Sequence, residues 1–310
     1  MNAHRNRILV AVDFEEQSMH ALEHSYELAR LFDADLILLY VIEGISVIGK
    51  LRSPDEYVKK LIAEAREKFD ELESLARNVS TKADIKVTAY IEKGKPYEKI
   101  IETAIDQNAI MIVMGKNSTS SLQRKRQVAG TNSLNVIREA PCPVITIKSS
   151  TPNPGKYNNI LLPLDFTRQT KKQVQKAIEF GGYFGSRINI LSILQDDNTV
   201  NKLLKQVQLN QVKKAIQKNG IQCQTDFLKS KKEHVAEIVL DYSTKIDADL
   251  IIIMTQQKKS FINFYVGSTA QKIISDAEMP VLSIIPTANF KPGVVTSMVD
   301  PFGVMNEKSE

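Results

Sequence analysis

The chain carries one pattern twice. ILVAVDFEEQSMHALEHSYELARLFDADLILLYVI, from Ile8, aligns without a gap to ILLPLDFTRQTKKQVQKAIEFGGYFGSRINILSIL, from Ile160. The offset of 152 (160 − 8) sets Asp13 on Asp165, Phe14 on Phe166, Gln17 on Gln169 and Phe32 on Phe184. Further along, IMIVMG matches LIIIMT at an offset of 140, with Met114 on Met254. Gly130-Thr131 then matches Gly267-Ser268, and Pro143 matches Pro280, at an offset of 137. The first half therefore holds 12 extra residues (152 − 140) between its second and third strands, and 3 (140 − 137) in the loop after Gly115. A period this long marks a duplicated domain rather than a short solenoid repeat. It also suits the prior of about 100–200 residues per domain.

Each half alternates short apolar runs with helical periodicity. ILVAVD is continuous, too short for a helix and suited to a strand buried on both faces. Met19, Leu22, Tyr26, Ala29 and Phe32 then fall at helical spacings and form one buried stripe. DLILLYVI, IKVTAYI, IMIVMG and PVITI supply the remaining strands, with helices expected over 55–77, from Pro96 to Asp106, and after Gly130. Pro96 fits a first helical turn, where its missing N–H costs nothing. Strands alternating with helices imply parallel strands joined by right-handed crossovers. The expected fold is α/β, with two tandem doubly wound domains, each built on a five-stranded parallel sheet. The boundaries are 1–150, 151–286 and a C-terminal tail over 287–310, with SSTPNPGKYNN as the linker.

Composition excludes several classes. An apolar content of 43% and a charged content of 25% are ordinary for a globular protein. A net charge of +5 favours small anionic ligands over nucleic acid, which calls for a denser basic stripe. Two cysteines, Cys142 and Cys223, make no disulfide framework and suit a reducing compartment. The run Ile8–Val12 is short for a signal-peptide core, and no stretch reaches the ~18 apolar residues of a membrane span. The expected location is the cytoplasm, without membrane or nucleic-acid partners.

Ligands of open α/β sheets sit beyond the carboxyl ends of the strands, where the strand order reverses. Asp13 and Asp165 end the first strand of each half, and the loops at Gly115 and Thr255 follow the fourth. If strands one and four are neighbours, these elements share one crevice. Asp13 there suits an adenine amine or a ribose hydroxyl, or it caps the next helix. A glycine at 115 admits close backbone approach, and the helix start at Gly130-Thr131 offers N–H groups to a phosphate.

ILVAVDFEEQSMHAL, GKPYEKII and GTNSLNVIREAPCPVITI in the first half, and ILLPLDFTRQT and GSTAQKIISDAEMPVLSI in the second, resemble the universal stress protein family, and the whole resembles a tandem-domain member. The resemblance covers residues 5–148 and 157–286. Members that bind ATP carry a glycine, two residues, a glycine, nine residues and then Gly-Ser or Gly-Thr. Gly115 matches the first position and Gly130-Thr131 the last pair, whereas Ser118 stands at the middle glycine and Gly130 follows it by 12 residues rather than 10. The resemblance implies a pocket of Val12, Asp13, Val41, Met114, Gly115, Ser118, Gly130, Thr131 and Asn132. In it Val41 meets adenine through its backbone, Gly115 meets the ribose, and Ser118 with residues 130–132 lines the phosphates. Lys116 and the run Arg124-Lys125-Arg126 are candidates to restore positive charge. In the second half Thr255 replaces the first glycine and Lys258 the middle one, which leaves Asp165, Gly267, Ser268 and Thr269 as a weaker set.

No Walker-type loop, no GxGxxG after a strand and no GxSxG elbow occurs. His20 and His24 lie one helical turn apart, without a third metal ligand, and are expected at exposed helix positions. Glu15-Glu16 suits the positive end of the first helix or, as the alternative, a divalent ion near phosphates. The functional expectation is a stress-response regulatory module that binds ATP or another adenine nucleotide, with or without Mg. Its rivals are a nucleotide-free scaffold for an unidentified protein, with no cofactor, and a slow ATPase. The resemblance implies that the halves pack as a pseudo-two-fold pair, an intramolecular pseudo-dimer joined as family dimers are, through PVITI and PVLSI, with a further homodimer open.

Overall fold

The computed structural model describes residues 5–43, 54–80, 85–116, 131–148, 155–166, 170–194, 199–230, 234–255 and 266–285. The first repeat runs β1 (Asn6–Ala11), α1 (Glu16–Leu31), β2 (Ala34–Glu43), α2 (Pro54–Ser80), β3 (Val87–Gly94), α3 (Pro96–Asp106), β4 (Met111–Gly115), α4 (Thr131–Glu139) and β5 (Val144–Ile147). The second runs β6 (Asn159–Leu164), α5 (Thr170–Phe184), β7 (Arg187–Leu194), α6 (Thr199–Lys218), β8 (Cys223–Lys229), α7 (Val235–Lys245), β9 (Leu250–Met254), α8 (Ser268–Asp276) and β10 (Val281–Ile284). The expected alternation of strand and helix holds in both.

The chain divides into two compact units, one of residues 1–156 with 254–288, the other built on 157–253. In the first the strand order is β3-β2-β1-β4-β5-β10. β1 pairs in parallel with β2 and β4, and β4 with β5. Ile8, Leu9 and Val10 are sealed from solvent, as a central strand covered on both faces requires. β3, at the edge, is half-exposed along most of its length. β10 joins antiparallel to β5, with Val281 opposite Thr146 and Ser283 opposite Val144. The expected pairing of PVITI with PVLSI is thus observed, and it carries α8 and β10 of the second repeat into the first unit. In the second unit the order is β9-β6-β7-β8, all parallel.

Main-chain bonds correct the alignment of the repeats by one residue. Ile8 faces Met111 across β1 and β4, and Ile160 faces Leu250 across β6 and β9. The Lys116 N–H donates to Ile147 O, and the Thr255 N–H donates to Ile284 O. Both comparisons give an offset of 139 (250 − 111; 255 − 116) rather than 140. Met254, not Thr255, therefore stands where the first repeat has Gly115, and Thr255 corresponds to Lys116. The runs IMIVMG and LIIIMT are both apolar and match almost as well in either register, so the letters could not separate them.

The end of the linker is anchored on α1 at Gly155. Gly155 turns with φ +71°, and a Cβ there would fall 2.1 Å from the Cβ of Glu27 on α1. Only glycine fits. In the second unit, Tyr157 is 1% exposed and meets Phe184 edge-on at 4.8 Å.

Candidate functional site

The order β2-β1-β4 makes the gap between β1 and β4 the switch point of the first unit, since the chain leaves β1 toward β2 and leaves β4 toward β5. β4 and β5 are parallel, so the connecting α4 runs back against them and starts at their carboxyl edge. The Asp13 turn, Gly115 and Thr131 thus stand at one end of one sheet, as a shared crevice requires.

Asp13 is exposed just past β1. Its Oδ1 accepts the Glu15 N–H at 3.0 Å, closing a turn, while the Ser18 hydroxyl accepts the Asp13 N–H at 3.2 Å and donates to Glu15 O at 2.9 Å. Glu15 itself is the N-cap of α1, and no side chain caps that end. The capping alternative for Asp13 is therefore replaced by a turn brace one step upstream. Glu16 lies in the first turn of α1, as expected for a carboxylate at the positive end of a helix.

Between Asp13 and Glu15 sits Phe14, with φ +64°, and Phe166 follows Asp165 with φ +57°. A bulky side chain in the left-handed region is strained by about 1–3 kcal/mol. Phe14 is held by Tyr40 and Phe69, whose ring centroids lie 5.2 and 5.7 Å away, and the Lys68 ammonium sits 5.8 Å from its ring. Residue identity at 14 and 166 was readable as a repeat match. The conformation was not.

Val12 is buried and its N–H donates to Leu39 O at 2.9 Å. β1 ends opposite Leu39, so Val41, half-buried, lies two residues further on β2 and pairs with Glu92 of β3 on its other side. Met114 is buried. At Gly115 a Cβ would lie 2.6 Å from Gln17 C and 2.7 Å from Ser18 N. This glycine is required because the first turn of α1 crosses directly over the end of β4. Asn132 is half-buried in the first turn of α4. Ser118, Gly130 and the Arg124-Lys125-Arg126 run lie outside the described residues.

Two expectations are overturned. Lys116 does not turn toward a phosphate: its side chain is buried and Nζ donates to Ala277 O at 2.9 Å. Burial, aided by Lys148, lowers its pKa to about 8 against the pull of Glu278 and Asp276. His24 is not exposed either. It is fully buried, and its Nδ1 accepts the Gly155 N–H at 3.2 Å. Burial, reinforced by His20, lowers its pKa to about 4. His20 is half-buried with Nδ1 3.5 Å from the Glu23 carboxylate. Among the described residues no group of three or more His, Cys, Asp or Glu is placed to hold a metal ion.

Of the weaker set, Asp165 is half-buried in the second unit, whereas Gly267, Ser268 and Thr269 open α8 in the first. The Gly267 N–H donates to Thr255 O at 3.1 Å, and a Cβ on Gly267 would meet nothing within 4 Å. That glycine has no steric duty.

The topology defines a doubly wound α/β protein whose strand order reverses between β1 and β4. Residues 4–148 and 156–284 each match the universal stress protein family, and the chain belongs to that family as a two-domain member. A universal stress protein of Methanocaldococcus jannaschii is 28% identical over 143 residues, covering 46% of this chain and 81% of the relative. A universal stress protein structure from Archaeoglobus fulgidus superimposes with a TM-score of 0.74 at 20% identity, covering 90% of this chain and 96% of the other. Another from the same organism, solved in complex with dAMP, is 22% identical and covers 41% of this chain and 98% of its own, with a TM-score of 0.35.

Proposed function

We propose that the first unit binds an adenine nucleotide between the carboxyl ends of β1 and β4, and that the protein acts in the cytoplasm as a nucleotide-responsive regulatory module of a stress response. The observation that carries this reading is the juxtaposition of the exposed, braced Asp13 turn with the start of α4 at the β1/β4 switch point. Asp13 accepts a hydrogen bond from the nucleoside, Val41 and Met114 flank the base, and Gly115, Ser118, Gly130, Thr131 and Asn132 follow the sugar and phosphates. Backbone N–H groups at the opening of α4 face the anion at the positive end of the helix. Where Mg accompanies the nucleotide, it would ride on the phosphates. This reading assigns no residue as a general base, so the module binds and at most hydrolyses slowly.

Equilibrium dialysis of the full chain with labelled ATP tests this. One site per chain is expected, lost on Gly130→Leu and kept on Gly267→Leu. Loss with Gly267→Leu only would move the site to the second repeat. A scaffold without nucleotide is the second reading, favoured by Lys116 turning away and by the packing duty of Gly115. It requires no binding of ATP, ADP or AMP at millimolar concentration.

A further inference from the structure

Helix α6 has two apolar faces where a helix covering a sheet needs one. Leu209, Val212 and Ile216 are buried against the second unit. Leu203, Leu204 and Val207 are 61%, 59% and 55% exposed, and Val200 continues the same stripe at 64%. At about 100° per residue, the exposed set points roughly 180° away from the buried set. The spacing 200, 203, 204, 207 is that of a helix face prepared for a covering partner. The helix carries Lys202, Lys205, Lys213, Lys214 and Lys218 and no acidic residue. Pairing with α6 of a second copy would bring lysines against lysines.

The chain beyond Ile285 supplies a complementary occupant. Residues 286–310 include Phe290, Val294, Val295, Met298, Val299 and Phe302, a content of aromatic and β-branched side chains at odds with a solvated tail. Their acids, Asp300, Glu307 and Glu310, outnumber their lysines, Lys291 and Lys308. Fully extended, the segment spans about 80 Å, several times the ~13 Å radius of gyration of a unit of about 100 residues. Tethering places it at an effective concentration of order millimolar. We propose that residues 286–310 dock along the outward face of α6 of their own chain, with apolar side chains over Leu203, Leu204 and Val207 and acids toward the flanking lysines.

Chymotrypsin cutting after Phe290 and Phe302 in the folded full chain reads this out. Leu203→Ser/Leu204→Ser is expected to speed both cuts at least ten-fold. Because the two leucines are exposed, the fold is retained. A chain ending at Ile285 is expected to bind an apolar dye at least three-fold more than the full chain, and the same double substitution in it to abolish the gain. Cutting rates that ignore the double substitution overturn the proposal, as does protection that falls on ten-fold dilution, which would assign the tail to a second copy. Binding of the full chain to phosphatidylserine vesicles that depends on Leu203 and Leu204, with tail cutting unchanged, would make the face a lipid surface and overturn it equally.

Discussion

The turn after β1 and the turn after β6 carry the same Asp-Phe pair in the same strained conformation, but the ends of β4 and β9 differ. Asp13-Phe14 and Asp165-Phe166 both place the phenylalanine at positive φ. A strain kept in both halves belongs to the architecture, since it survives wherever the strand must turn into its helix. One strand over, Gly115 lets α1 cross the end of β4 with no Cβ between them, whereas Met254 puts a buried side chain at the matching position. The repeats therefore share the turn after their first strand and differ at the end of their fourth.

The two first helices differ as well, and this gives the largest expected effect. His24 on α1 corresponds to Lys176 on α5 (24 + 152), which is buried but ion-paired with Glu179 at 2.7 Å. His24 instead stays neutral, accepting the Gly155 N–H. Its folded pKa of about 4 lies below the model-compound value of 6.5, so the unfolded chain takes up more protons between the two. Its contribution is present in full above pH 6.5 and is lost as pH falls toward 4, amounting to roughly 3 kcal/mol in the limit at about 1.4 kcal/mol per pKa unit. Urea unfolding midpoints over this range should show the slope, and His24→Gln should flatten it. An unchanged slope would deny His24 that role.

Next in size is the glycine contrast. Gly115→Ala forces its methyl to within 2.6 Å of α1 backbone and should cost about 2–3 kcal/mol, whereas Gly267→Ala, with open space around it, should stay within about 0.5 kcal/mol. Paired urea titrations decide between them, and equal costs would erase the asymmetry.

The letters revealed the duplication and the element order because hydrophobic period and repeat offsets are long-range signals that single substitutions do not blur, whereas the β5–β10 pairing was legible only through the family resemblance. What they hid is equally physical. Lys116 follows a strand end and looks like a phosphate ligand, but the direction of its side chain depends on α8, which is brought beside it by a pairing of residues 135 apart in sequence (Val281 with Thr146; 281 − 146). His24 reads as a polar residue on an amphipathic helix until the linker glycine lies over it. The strained φ of Phe14 and Phe166 has no compositional mark, since phenylalanine is the wrong residue for it.

The smallest expected effect follows from Lys116. With Nζ committed to Ala277 O, Lys116→Met should leave ATP affinity within about two-fold by dialysis. A ten-fold loss would show that the lysine reaches the ligand after all.

The most direct measurement is photo-crosslinking of the full chain with an azido-adenine nucleotide, followed by peptide mapping. Binding at the β1/β4 switch point predicts label on peptides from residues 8–43 or 111–148, competed away by unlabelled ATP. Competable label confined to 159–194 or 250–284 would contradict it.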